Sequence, residues 1–169
     1  MDLTKAVLLA ASKKRVNDIV RYVENDPQKF EKLVTIYLKG PYRITQRAAW
    51  PISYCVEHHP KLVIPHLGKI LRQTKKPDAI DAVKRNTMRL LQFIDIPKKY
   101  QGEIAVLCFR YLENKKEAVA IKAFAMTVLS KIAEVQPELR NELKIVLEDQ
   151  LPYAKPAFIS RARKILKLK

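Results

Sequence analysis

The sequence predicts an all-α chain, an α-α superhelix (solenoid) of about four stacked helix pairs with a C-terminal capping helix. Three observations carry this. Leu, Ala, Ile, Lys and Glu dominate, mostly helix-compatible residues, and no sustained run alternates apolar with polar side chains. Glycine occurs only three times in 169 residues, at Gly40, Gly68 and Gly102. Amphipathic stretches recur, each stopped by a proline, with Pro27, Pro60, Pro97 and Pro137 spaced 33, 37 and 40 positions apart.

The elements follow in order. In the first unit, about residues 2–40, "RVNDIVRYVENDP" gives a first helix and "QKFEKLVTIYLKG" its partner. The second unit, about 41–76, pairs "RAAWPISYCVEHHP" with "KLVIPHLGKILRQ". Here Ile44, Ala48, Ile52, Cys55 and Val56 share one side, and Leu62, Val63, Leu67, Ile70 and Leu71 line the partner helix. The third unit, about 77–115, pairs "RNTMRLLQFIDIP" with "KKYQGEIAVLCFRYLEN". The fourth, about 116–152, pairs "KAFAMTVLSKIAEVQP" with "ELRNELKIVLEDQ", and "SRARKILKLK" lies in a cap over 153–169. A proline costs nothing at a helix entry, where its missing N–H would have no partner, so the four prolines mark where second helices start. A base opens each first helix, at Arg15, Arg47, Arg85, Lys122 and Arg161. One such pair cannot bury its apolar stripe alone; stacked neighbours can, which makes the whole chain one repeat domain.

This pattern resembles the HEAT repeat, an armadillo-type helical unit. "VIPHLGKIL" (Val63 to Leu71) followed by "KKPDAIDAVKRNTMRLLQFI" is similar to the family's Leu-Pro-x-Leu helix, short acidic turn and Val-x-Arg opening of the next helix. The resemblance covers essentially the whole chain. It implies kinked first helices, so Pro51, which denies a hydrogen bond to the Arg47 carbonyl, needs no catalytic explanation. It also implies an internal ladder in which each opening base meets a neighbouring acid: Asp78 or Asp81 for Arg85, Glu117 for Lys122.

Composition excludes several functions. The glycines are too far apart for a Walker loop or GxGxxG turn, so no nucleotide is expected. Cys55 and Cys108 sit in apolar helical settings and read as core residues of a reducing, cytoplasmic compartment. The apolar run Ala6 to Ala11 is too short for a signal sequence and leads directly to Lys13, Lys14 and Arg15. No stretch is long enough to span a bilayer, so no membrane partner is expected.

Charge points to the partner. Thirty-three Lys and Arg face seventeen acids, a formal net charge of +16, which attracts anions over long range. From Lys32 to Lys76 nine bases meet one acid, Glu57; after Asp149 there are six bases and no acid. A surface tuned only for solubility intersperses both signs.

The segment "QRAAWPISYCVEHHP" collects the one tryptophan, a cysteine and two histidines. Arg47, Trp50, Tyr54 and His58 fall on one helix flank, either packing against the next unit or offering a cation beside aromatic faces. Cys55, His58, His59 and His66 lack the paired-knuckle spacing of zinc sites, so no metal and no cofactor are expected. The candidate binding residues are Arg43, Arg47, Trp50, Tyr54, Lys69, Arg72 and Arg85, with Lys75 and Lys76 accessory. The expected function is a non-enzymatic scaffold whose basic surface holds an acidic protein segment or other polyanion. A nucleic-acid backbone binder is the alternative. The HEAT resemblance also extends to DNA glycosylases of alkylation repair, whose groove needs a carboxylate; Glu57 is the one acid near Trp50. No Ser-His-Asp or Cys-His catalytic set is suggested, since the three histidines crowd into 58–66. The sequence carries no signal for oligomeric state.

Overall fold

The computed structural model describes residues 1–167; Lys169, last of the tail bases, lies outside the described residues. The fold is all-α, with no strand among the described residues. The chain divides into two compact units, Met1–Ile94 and Asp95–Lys169, and the expected third unit is shared between them.

The first unit holds α1 (Leu3–Leu8), α2 (Lys13–Val23), α3 (Pro27–Lys39), α4 (Tyr42–His58), α5 (Leu67–Thr74) and α6 (Asp81–Leu91). Side-chain oxygens cap the early helices. Asp2 accepts from the Lys5 N–H, Ser12 from Arg15, and Asp26 from both Gln28 and Lys29, with Pro27 in the first turn. The two backbone hydrogen bonds, chiefly that from Lys29, hold the Asp26 carboxyl below the usual carboxylate range.

Helix α4 is the hub, packed against α1, α2, α3 and α6. Thr45, Ala48, Ile52, Cys55 and Val56 face one way, while Ala49 and Ser53 are buried on another flank. The helix runs unbroken through the buried Pro51. At its start the Thr45 hydroxyl donates to the Tyr37 and Gly40 carbonyls, 2.9 and 3.1 Å away, satisfying acceptors that the end of α3 leaves open.

Two elements depart from the expected outline. The segment after Pro60 begins as a 3-10 helix, Pro60–His66, and becomes α-helical only at Leu67. Pro65 lies inside that stretch, and its missing N–H and ring disfavour an α-turn there. The short α1 joins the core: Leu3, Val7 and the following Ala10 are buried.

The second unit holds α7 (Lys98–Glu113), α8 (Val119–Val135), α9 (Leu139–Gln150) and α10 (Pro156–Leu166), with a 3-10 turn at Leu151–Tyr153. Its core joins Ile104, Cys108 and Leu112 of α7 to Ile121, Met126 and Leu129 of α8, with Leu147 and Phe158 closing it. Pro97 flanks the start of α7 and Pro137 stands two residues before α9.

Two glycines give opposite expectations. A Cβ on Gly40 would meet Ile44 Cγ2 at 2.5 Å and the Ile36 carbonyl oxygen at 2.7 Å, whereas one on Gly102, mid-helix in α7, meets nothing within 4 Å. Gly40→Ala should therefore destabilise by about 1–3 kcal/mol. Gly102→Ala should stabilise by about 0.5–1 kcal/mol, through helix propensity. Denaturant unfolding of each variant checks both signs.

Candidate functional site

The α4–α6 seam is built from small and polar residues. Ala49 and Ser53 let α6 approach, and the seam is then wired. The Ser53 hydroxyl bonds to the Trp50 carbonyl at 2.8 Å and to Asn86 Oδ1 at 3.2 Å, while Asn86 Nδ2 donates to the Ala82 carbonyl at 2.8 Å. Arg89 completes it. Its Nη2 pairs with Glu57 Oε2, and its Nη1 lies 3.3 Å from the Ser53 carbonyl and hydroxyl. The guanidinium carbon sits 4.1 Å from the Tyr54 ring centre and 5.2 Å from that of Phe93, giving cation–π contact with both.

Sequence reasoning missed Arg89. The internal base is one helical turn beyond Arg85, and the available signal was an arginine set among Met88, Leu90 and Leu91 in the apolar rhythm of α6. Arg85 itself is exposed, and Asp81, expected to serve it, pairs with Lys84 at 3.4 Å. In the second unit Lys122 directs its Nζ to the Leu112 carbonyl at 2.8 Å and to Gln150 Oε1 at 3.1 Å. Desolvation lowers its pKa, and the charge of Glu117 partly offsets this. Gln150 Nε2 donates to the same Leu112 carbonyl. Arg161 donates to Thr127 Oγ1 at 2.8 Å. The opening bases of the second unit thus reach across to neighbouring helices.

The expected site residues fall on three helices. Arg43, Arg47, Trp50 and Tyr54 lie on α4, Lys69 and Arg72 on α5, and Arg85 on α6. Trp50 and Tyr54 touch edge to face, ring centres 6.4 Å apart, both half-buried. One face of Tyr54 is covered by Arg89. Arg43, Lys69 and Arg72 are exposed; Arg47 is half-buried and makes no hydrogen bond or ion pair with a described residue. Lys75 and Lys76 are exposed in the turn after α5.

The cysteine and histidines are dispersed. Cys55 is fully buried, and desolvation pushes its thiol up to about 12; burial raises that of Cys108 as well. His66 packs on Phe30 with ring centres 5.8 Å apart, while the His58 and His59 rings stand 6.5 Å from each other. Among the described residues no group of three or more His, Cys, Asp or Glu is placed to hold a metal. A concavity of about 920 Å³ opens in the second unit, bordered by Lys115, Lys116, Lys122, Asp149, Tyr153 and Phe158. Four lysines and three acids line it, so it has little preference for either sign of ligand.

A family model for the HEAT repeat domain matches residues 3–169. The chain belongs to this family. HEAT repeats generally act as protein-binding scaffolds and are typically non-enzymatic. No curated protein and no solved structure matches the chain. Among the described residues of this HEAT chain no helix is long and apolar enough to cross a membrane.

Two predictions follow from the seam and from His66. Arg89→Ala should cost about 1–3 kcal/mol by stranding Glu57 and exposing the Tyr54 face, and Arg89→Lys should recover little, because an ammonium cannot lie flat between two rings. A double-mutant cycle with Glu57→Gln isolates the pair. Desolvation lowers the His66 pKa below its usual value, against the opposing charge of Glu31 and helped by Lys69. The unfolded chain therefore binds the proton more readily, and stability present above the unfolded pKa is lost as pH falls through about 6.5 and below. Melting temperature between about pH 7.5 and 5.5 should fall less in His66→Phe, which keeps the ring contact with Phe30.

Proposed function

We propose that this HEAT chain is a non-enzymatic binding scaffold whose basic surface holds an acidic protein segment or other polyanion. One observation carries the reading: Glu57, the sole acid between Lys32 and Lys76, is paired with Arg89. The bases of that segment are left without it. Arg43, Lys69, Arg72 and Lys76 point to solvent with no ion-pair partner among the described residues. Exposed charges of one sign add, and their summed field attracts an anionic partner and speeds its encounter. The same ion pair weighs against base excision, since the carboxylate nearest Trp50 is held by a guanidinium. The reading treats the chain as one repeat domain working in the cytoplasm, with units 2–40, 41–76, 77–115, 116–152 and a cap at 153–169. The continuous family match and the two buried thiols support it.

The ligand-facing residues of this reading are Arg43, Arg47, Trp50, Tyr54, Lys69, Arg72 and Arg85. Reversing charge at Arg47 and Arg72 together should abolish binding to an immobilised polyanion such as heparin, with helical content and melting temperature nearly unchanged. Undiminished binding by that double variant would place the surface elsewhere.

A further inference from the structure

The basic surface is uneven in chemistry as well as charge. Helix α3 packs on the 3-10 helix Pro60–His66 and on α5, pinned by the Phe30–His66 ring contact. These neighbouring elements and the turn after them expose Lys32, Lys39, Lys61, Lys69, Arg72 and Lys76. None of the six has a hydrogen bond or ion pair with a described residue. Lys69 and Arg72 stand at i and i+3 on α5, roughly 4.5 Å apart along its axis, and Lys76 follows in the turn. The acids exposed beside them are Glu31 and Asp78.

Apolar anchors are nearly missing here. Ile64, 37% exposed, is the one large apolar side chain that α3, the 3-10 helix and α5 expose. Protein interfaces draw affinity from aromatic and aliphatic anchors and are depleted in lysine, so five lysines, one arginine and a half-covered isoleucine make a poor protein-docking face. The aromatic rings of these elements are also withdrawn: Phe30 and Tyr37 are buried, and His66 is packed on Phe30. Strand-selective binding of unpaired nucleic acid needs rings on which bases stack. What remains is a set of flexible cations on neighbouring elements, which suits a regular anionic lattice with one charge per about 1.7 Å of axis, the phosphate backbone of a duplex.

We infer that the α3–α5 face binds the phosphodiester backbone of double-stranded nucleic acid, without reading its sequence. The inference rests on the polyanion reading above and narrows its ligand. Bound duplex would displace condensed counterions, so affinity would be set by salt more than by base composition.

The test is fluorescence anisotropy with four probes: a short duplex DNA of random sequence, the same duplex as RNA, one of its single strands, and a poly-glutamate peptide of matched charge. Either duplex should bind more tightly than single strand or poly-glutamate, and the tighter duplex names the source. For six phosphate contacts the log–log salt slope should be about −5, a loss of roughly a thousandfold between about 50 and 200 mM salt. The combined Lys32→Glu, Lys69→Glu, Lys76→Glu variant should bind at least about tenfold more weakly, with a slope shallower by about 3. If that variant loses helical content, the corresponding Lys→Gln variant replaces it, and the wild-type slope needs no variant at all. Poly-glutamate binding as tightly as duplex, and weakened by the same variant, would overturn the duplex assignment and leave the polyanion reading standing. Failure of all four probes to bind would overturn both. A single strand preferred over duplex would overturn the duplex assignment, and a wild-type slope retained in the variant would overturn the assignment to this face.

Discussion

A helix with two flanks buried depends on its neighbours to cover both, and α4 is such a helix. One flank brings Ala48, Ile52, Cys55 and Val56 into the core; the other meets α6 through Ala49 and Ser53. Covering the first flank is a matter of area, and apolar burial is non-directional, so area alone would tolerate several registers. The second flank removes that freedom. The bonds of Ser53, Asn86, Arg89 and Glu57 are satisfied together in one alignment of α4 against α6, and a slip of one turn would strand a partly buried charge. The first unit is thus held in place by its apolar stripes and held in register by a small polar seam.

The same seam shapes the surface. An acid that could have balanced nearby lysines is paired with Arg89 of α6, and the bases between residues 32 and 76 dominate their surroundings by subtraction. The second unit handles charge otherwise. Lys122 meets a carbonyl and an amide, and α9 with its N-cap exposes Glu138, Glu142, Glu148 and Asp149 among its bases. Any field this chain projects is consequently strongest from its first ninety or so residues, for which Met1–Ile94 supplies the scaffold.

Much of the architecture was legible in the sequence. Helix entries are punctuated by prolines, which act locally, so Pro27 and Pro60 open their elements and Pro97 and Pro137 stand just before theirs. The stripe through Ala48, Ile52, Cys55 and Val56 is buried because a 3.6-residue period leaves only one side for it. The misses have a common cause in contacts made far along the chain. Arg89 looks like any surface arginine until α4 lies beside it with Glu57 at the right height. The place of α1 in the core depends on α4 rather than on its own six residues. For the candidate site, residue types and the helix carrying each base could be read, but not which base would be paired across helices. Arg47 and Trp50 stand on α4 and Lys69 and Arg72 on α5, the helix pair to which the repeat pattern assigned them.

The two cysteines have a practical use. Each compact unit contains one, Cys55 in the first and Cys108 in the second, and both have zero solvent exposure. A thiol so enclosed, its pKa raised by the same burial, reacts with an alkylating reagent only when the helices around it part. Modification kinetics followed by mass at each site would time the opening of either half on its own, with no label or engineered residue.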